Sequence, residues 1–394
     1  MCQTAQKREA IDIVDFEKHN EQTKKLWEGY NEGNPERIPM ILGMNPRMVI
    51  LDPKYGGGAT FEKYYSDPEE MLQTQLKFRK FEACEVVYDH VMGIPENGWH
   101  IYPDFQNDLE CGWFGAEVKY SENAVPFTVP LLSDDGKKDM LLKKGIPELF
   151  GGLLGKALDY RGYFCEKKNA GFTYEKKPIH SVGFPGMGTD GPMTVACMLR
   201  GTTEFCIDLH EDTSYALELL EYITDAAIFR IKGLREHFGQ PQLASSLGFA
   251  DDSIQLLSCE SYERLILPFH KKLIGELTDG SGRNSIHLCG DATRHFKKIQ
   301  DELNVYSFDT GFPIDFAATL KSLSPQTQIN GGVHVGLLLN GAPAEIEESV
   351  KKICGEVKPL SKKFVMREAN NLSPKTPLEN IGAMHEAVKK FGQY

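Results

Sequence analysis

Short apolar runs, each closed by a polar or reactive side chain, alternate with longer amphipathic stretches along most of the chain. Residues 13–32 carry Phe16, Leu26, Trp27 and Tyr30 among charges and stop at Gly33-Asn34-Pro35, which predicts an amphipathic helix packed outside the main body. Arg37 to Leu42 then reads as a first buried strand, Pro68 to about Phe81 as a helix, and Cys84 to Asp89 as the next strand. Residues 95–175 give short extended pieces around Trp99, Trp113 and Tyr120 and read as an insertion or long connection. A strand over 178–184, a helix over 192–199 and further helices over 215–238 follow. The last third repeats the beat: strands at 242–249, 284–289, 304–308, 327–330 and 363–366 are separated by helical stretches, two of which are 345–353 and 379–391. About eight strands with helical crossovers predict an α/β chain folded as a TIM (β/α)8 barrel over 37–394, with an N-terminal helical extension over 1–36.

The residues that close the apolar runs are chemically distinctive. Arg47, Asp89, Asp252, His287, Cys289, Asp309, His334 and Glu368 all stand where a strand is predicted to end, and barrel enzymes keep their chemistry on that rim. Within this set, His287-Leu-Cys289-Gly290 is the sharpest signal. Imidazole and thiolate are the ligand types that best suit zinc, and two residues apart on a strand they point to one side. Taken alone, the pair reads rather as a buried cysteine beside a satisfied histidine; its neighbours reverse that reading in favour of a metal site, with His334 and Glu368 as the further candidate ligands. Gly186-x-Gly188-x-x-Gly191, between a strand and a helix, fits a dinucleotide fingerprint, yet a long helical stretch follows where that fold needs another strand ending in an acid. The preferred reading is a turn that lets an anionic group approach a helix N-terminus, with an ordinary tight turn as the alternative.

Composition narrows the partners. A net charge of −12 and a pI near 5.5 argue against nucleic acid and against adsorption to anionic lipid. No apolar run approaches the roughly 18 residues of a membrane span, and the polar start is no signal peptide, so a cytoplasmic protein is expected. Nine cysteines without framework spacing read as free thiols.

From about Arg37 to the C-terminus the chain resembles the uroporphyrinogen decarboxylase superfamily of TIM barrels, which also contains cobalamin-dependent methyltransferases. The resemblance rests on Pro178-Ile-His-Ser-Val-Gly-Phe184 with its Gly-Pro-Met-Thr turn, Leu265-Ile-Leu-Pro-Phe269, His287-x-Cys289-Gly290, Asn330-Gly-Gly-Val-His334 and Thr376-Pro-Leu-Glu-Asn380. The decarboxylase branch carries two arginines after the first strand and an aspartate after the second. Here one arginine is retained, as Arg47, and Asp89 matches, so a highly charged porphyrinogen would be left with uncompensated carboxylates. The methyltransferase branch carries zinc on His-x-Cys and a later cysteine. His287 and Cys289 match, while Asn370 stands where the later cysteine belongs.

The resemblance therefore implies a zinc-assisted methyltransferase that moves a methyl group from a small methylated substrate to the cob(I)alamin of a partner corrinoid protein, this chain showing no Asp-x-His-x-x-Gly module of its own. Heme-pathway decarboxylation is the alternative, and a non-catalytic barrel or a dinucleotide enzyme are the remaining classes. A ligand set poorer in sulfur favours an oxygen leaving group, hence O-demethylation of a methoxy compound such as an aryl methyl ether. Arg47, Asp89, Asp252 and Asp309 are the expected catalytic or orienting groups. Phe184, Tyr306 and Arg367 are the expected substrate contacts, and Trp99, Phe308 and Phe312 are further aromatics for a ring.

Overall fold

The computed structural model describes residues 14–122 and 124–394. Its first helix, Phe16–Asn31, starts where the Asp15 carboxylate accepts the Lys18 amide at 3.2 Å, and it buries Thr23, Leu26 and Tyr30. The chain can turn away at Gly33 because glycine tolerates its φ of 79°. Tyr30 reaches the start of two barrel strands, its hydroxyl lying 3.0 Å from Gln328 Oε1, so the helix packs across the N-terminal face of the barrel.

Seven named strands and one short segment build the barrel. The strands are β1 (Trp99–Ile101), β2 (Lys177–Val182), β3 (Gly248–Ala250), β4 (Asn284–Leu288), β5 (Val305–Thr310), β6 (Gln328–Gly331) and β7 (Phe364–Met366). From β3 to β7 they form one parallel sheet in sequence order, and β1 pairs in parallel with β2. Residues 38–41 join β7 in parallel through the Met40–Met366 bridge, with the Ile41 amide donating to Met366 O at 2.9 Å. The five-stranded parallel sheet extended by residues 38–41, and the parallel β1–β2 pair, with helices between the strands, give the α/β arrangement of the (β/α)8 barrel that the sequence predicts.

Register explains which side chains meet. Phe249, Ile286, Phe308, Ile329 and Phe364 stand side by side on the outer face, all buried against helices, with Phe308 stacked on Phe296 at 4.6 Å. The alternate positions face inward and form two paired rows. Gly248, Ser285, Ser307 and Gln328 make one; Ala250, His287, Asp309 and Asn330 make the next, nearer the carboxyl rim.

Two expectations are corrected. Residues 84–89 are not a strand: the helix Pro68–Glu85 runs through the first two, and the second barrel strand is β1, inside the stretch read as an insertion. That stretch also supplies the helices Asp108–Phe114 and Gly152–Asn169, so it belongs to the barrel wall. Asp89 in turn is not on the rim. It is buried beside the start of segment 38–41, where its carboxylate accepts Arg37 at 2.7 and 2.5 Å, the Met40 amide at 2.7 Å and His385 Nε2 at 3.1 Å. Burial opposes its ionisation, but Arg37 and His385 outweigh that and hold the carboxyl well below its usual range. No helix among the described residues is long and apolar enough to cross a membrane, and the eight described cysteines are free thiols.

Candidate metal centre and active-site cavity

The rim row places His287 beside Asp309, and the loops after β3 and β4 complete a compact cluster. His287 Nδ1 donates to Asp309 Oδ2 at 2.6 Å, which leaves Nε2 facing Cys289 Sγ at 3.0 Å and Asp252 Oδ1 at 3.9 Å. Asp252 is fixed in turn by the Cys289 amide, which donates to its Oδ1 at 2.7 Å. The donor atoms of Asp252, His287 and Cys289 all lie within 4.8 Å of one another. Tetrahedral zinc with bonds of about 2.0–2.3 Å requires donors roughly 3.3–3.7 Å apart, and these separations bracket that spacing. A carboxylate on the far nitrogen of a ligating histidine is the usual way to fix its tautomer. Three protein donors would leave a fourth position for substrate, so the residues fit a catalytic metal.

The electrostatics of these residues agree with a poised site. Burial opposes charging of His287, but Asp309 and Cys289 outweigh it and raise the imidazole to about 10, while burial lifts the Cys289 thiol above its usual value against the pull of His287. A metal would therefore bind in exchange for protons.

Two expected ligands stand elsewhere. His334 caps the helix Val335–Asn340, accepting the Gly336 amide at 3.1 Å on Nδ1, and its exposed ring lies 4.5 Å from Phe312. Glu368 is fully buried, its Oε1 accepting the Gly43 amide at 2.7 Å and Arg367 Nη2 at 2.9 Å. Asn370 has a φ of 100°, and its side chain accepts the next amide, Asn371, at 2.7 Å. Asp252, expected among the catalytic acids, is the oxygen donor that accompanies His287 and Cys289.

Beside the cluster, a cavity of about 620 Å³ opens inside the rim, lined by His287, Asp309 and Asn330 from the strands and by Arg47. Arg47 Nη2 donates to Asn107 at 3.3 Å, and its buried Nε has no partner among the described residues. The remaining expected substrate contacts do not line this cavity. Phe184 packs on Phe150 and Phe238 at 6.3 and 5.0 Å in the outer layer. Tyr306 lies at the N-terminal end under the Arg283 guanidinium. Arg367 sits behind the rim, 2.5 Å from Asp309 Oδ2, so it positions the carboxylate that positions His287.

Asp104, Glu110, Asp190 and Arg230 line the cavity and were not anticipated. Asp104 follows β1, so the strand-end rule would have found it had β1 been recognised. Glu110 ties the glycine-rich turn to the wall, accepting Thr189 Oγ1 and the Asp190 amide at 2.9 Å and pairing with Arg230 Nη2 at 2.5 Å. The anion at the N-terminus of the helix Pro192–Arg200 is the protein's own Asp251, which accepts the Met193 and Thr194 amides at 3.2 and 2.7 Å. The turn is therefore a packed wall rather than a ligand's phosphate cradle, and a Cβ at Gly191 would fall 2.2 Å from Ala250 O. Burial, reinforced by the Glu110 carboxylate, raises Asp190 to about 7.

A family model for uroporphyrinogen decarboxylase matches residues 184–391, more than half of the chain. The chain belongs to the uroporphyrinogen decarboxylase family. Its relatives include a methylated-thiol–coenzyme M methyltransferase of Methanosarcina mazei, 28% identical over 203 residues that cover 50% of this chain and 51% of that protein. A methylcobamide:CoM methyltransferase of Methanosarcina acetivorans is 23% identical over 238 residues, 59% of this chain and 67% of that protein. The chain thus spans about half the length of the first of these relatives and two thirds of the second. A solved methyltransferase from M. mazei superposes over 94% of this chain and 98% of its own with a TM-score of 0.63 at 19% identity, a likeness that speaks to the shared barrel. Both sequence relatives are methyltransferases, the branch of the family to which the His-x-Cys resemblance pointed.

Glu368 allows a test of the rim's electrostatics. Burial raises its carboxyl to about 7 despite Arg367. A carboxyl raised from an ordinary 4.5 to about 7 favours folding below pH 4.5, and that contribution fades as pH climbs to 7. Glu368→Gln should therefore be more stable than the parent above pH 7, by up to about 3 kcal/mol, with the gap closing below pH 4.5. Denaturant unfolding at pH 4.5 and 8 measures it; a variant less stable at pH 8 would show that Glu368 is held as a useful anion.

Proposed function

We propose that this family member is a corrinoid-dependent methyltransferase that takes a methyl group from a small methoxy compound, favoured as an aryl methyl ether, and passes it to the cob(I)alamin of a partner corrinoid protein. The observation that carries the reading is His287, anchored through Nδ1 by Asp309 and facing Cys289 and Asp252 through Nε2 at the mouth of a cavity. The methyltransferase relatives support the reaction class. Asp252 in place of a second thiolate supports the oxygen leaving group, because a carboxylate makes a harder site.

Transfer of the methyl carbon to cobalt leaves the electron pair of the C–O bond on the substrate oxygen, and the chain must make that oxygen a better leaving group. Zinc held by Asp252, His287 and Cys289 would act as a Lewis acid toward it. Asp309 and Arg367 hold the imidazole in register. Asp190, which lines the same cavity, is the proton donor in this scheme for the departing oxygen. Tyr102 and Phe105 give an apolar wall for a ring, and Arg47 offers a guanidinium to a substrate carboxylate or phenolate. Asp89, which the decarboxylase alternative needs in the cavity, is instead engaged by Arg37 and His385. A cytoplasmic setting, and a division into an extension over 1–36 and a barrel over 37–394, belong to the same proposal.

The test is anaerobic incubation with cob(I)alamin, free or protein-bound, and a panel of methoxyaromatics, methylamines, methyl thiols and uroporphyrinogen while the cobalamin spectrum is followed. Methylcobalamin should form from a methoxyaromatic. Its formation from no donor, or decarboxylation of uroporphyrinogen, would overturn the proposal.

A further inference from the structure

The barrel interior is less filled than its outer layer. TIM barrels ordinarily pack their centre with bulky branched side chains. Here the inward row nearest the N-terminal face is Gly248, Ser285, Ser307 and Gln328; Gly248 is exposed and the other three are half-buried, whereas the outward Ile286 and Phe308 are buried. The rim cavity extends down to Gly248, Ser285 and Ser307. A second cavity of about 520 Å³ rises from the opposite face and also reaches Ser307. At that level β5 carries one extra residue, since Asn284 pairs with Val305 but Ser285 with Ser307, and the bulged Tyr306 lines the lower cavity. Serine thus separates the two cavities where a barrel would normally place a branched aliphatic.

The lower mouth is electropositive on an acidic protein. Arg283 lies over the Tyr306 ring at 4.1 Å and bonds the neutral Gln326, and Lys363 donates to Tyr30 O at 3.3 Å. Neither forms an ion pair with a carboxylate among the described residues, and Glu32 is the one acid at this mouth.

We propose that the barrel is open through its floor at Ser307, so that a small anionic substrate reaches His287 from the N-terminal face while a macromolecular partner covers the carboxyl rim. The role given to the passage rests on the methyltransferase reading; its existence does not. The cobalt and the departing oxygen can then lie on opposite sides of the methyl carbon, as a displacement requires, and substrate and partner need not enter by the same mouth.

Accessibility of an introduced thiol tests the passage without any methyl transfer. In S307C the thiolate would attack the sulfur of a methanethiosulfonate, forming a mixed disulfide and releasing methanesulfinate. Rates with an anionic sulfonatoethyl and a cationic trimethylammonioethyl reagent are read by peptide mass at position 307, so other cysteines do not interfere. The anionic reagent should react faster, and R283E with K363E at the lower mouth should shift the ratio of the two rates on the order of tenfold toward the cation. A ratio unmoved by the charge reversal would mean that reagent arrives from the rim and would overturn the proposal. No labelling of S307C, or a ratio at S285C, which lines the rim cavity, that R283E with K363E leaves unmoved, would show a closed floor and overturn it as well.

Discussion

On the proposed function, His287→Ala should abolish both zinc binding and methyl transfer while leaving the barrel folded. The imidazole is partly exposed at the rim and is held from one side by Asp309, so its loss opens space toward the cavity rather than a void in the core. It is also the central donor, the one whose nitrogen faces both Cys289 and Asp252. With it gone, a thiol lifted by burial and a single carboxylate remain, a pair too weak to compete for zinc at neutral pH. Lewis-acid stabilisation of a departing oxygen is worth several kcal/mol, so transfer to cob(I)alamin should fall by about 10³-fold or more. Metal analysis and the cobalamin spectrum report the two losses separately. A variant that keeps stoichiometric zinc, or forms methylcobalamin at the parent rate, would remove His287 from the site.

Cys289→Ser should behave similarly for metal content, because serine does not supply a thiolate. Asp309→Asn is the informative contrast. It keeps the three donors and alters only the partner of Nδ1, so a metal affinity lower by about 10–100-fold is expected, with partial activity restored at high zinc. Restoration would separate a group that acts through His287 from one that binds the metal itself.

The barrel was legible wherever a strand is an apolar run facing helices on its outer side. β4, β5, β6 and β7 carry Ile286, Phe308, Ile329 and Phe364 on that face, and each was anticipated within a residue or two. The second strand is hidden in the pattern because Val86-Val87-Tyr88 looks as apolar as Trp99-His100-Ile101, and pattern alone does not say which run finds a hydrogen-bonding neighbour. That single shift moved Asp89 from the rim to the opposite end of the barrel and hid Asp104. The His287–Cys289 pair is legible because Cys289 directly follows the strand that carries His287, and positions two apart across a strand end still face one side. Their third companion was not, since Asp252, His334 and Glu368 all follow strands and only the curvature of the barrel decides which loop bends inward. His334 became a helix cap and Glu368 took the Gly43 amide, leaving Asp252. Tyr306 departs from the strand pattern for a local reason: the extra residue in β5 displaces it to the lower cavity.

Arg37→Met should cost stability rather than chemistry. Asp89 is almost wholly buried, and Arg37 supplies two of its hydrogen bonds together with most of the compensating charge. Removing one member of a buried pair strands the other, at a cost of about 3–5 kcal/mol. His385 cannot replace the bidentate fork, and the Met40 amide bears no charge. The sign of the pH dependence identifies the cause. In the parent the Asp89 carboxyl is held below its ordinary value, so its contribution is present above about pH 4 and is lost as pH falls through the lowered folded value. In the variant the stranded carboxylate escapes its penalty by taking a proton, so the deficit relative to the parent should shrink from pH 7.5 to pH 4.5. Denaturant titrations at the two pH values measure this, and metal content with methyl transfer by the folded fraction should stay at parent levels. A variant that unfolds like the parent yet fails in transfer would instead place Asp89 in the chemistry and bring back the reading in which it faces substrate.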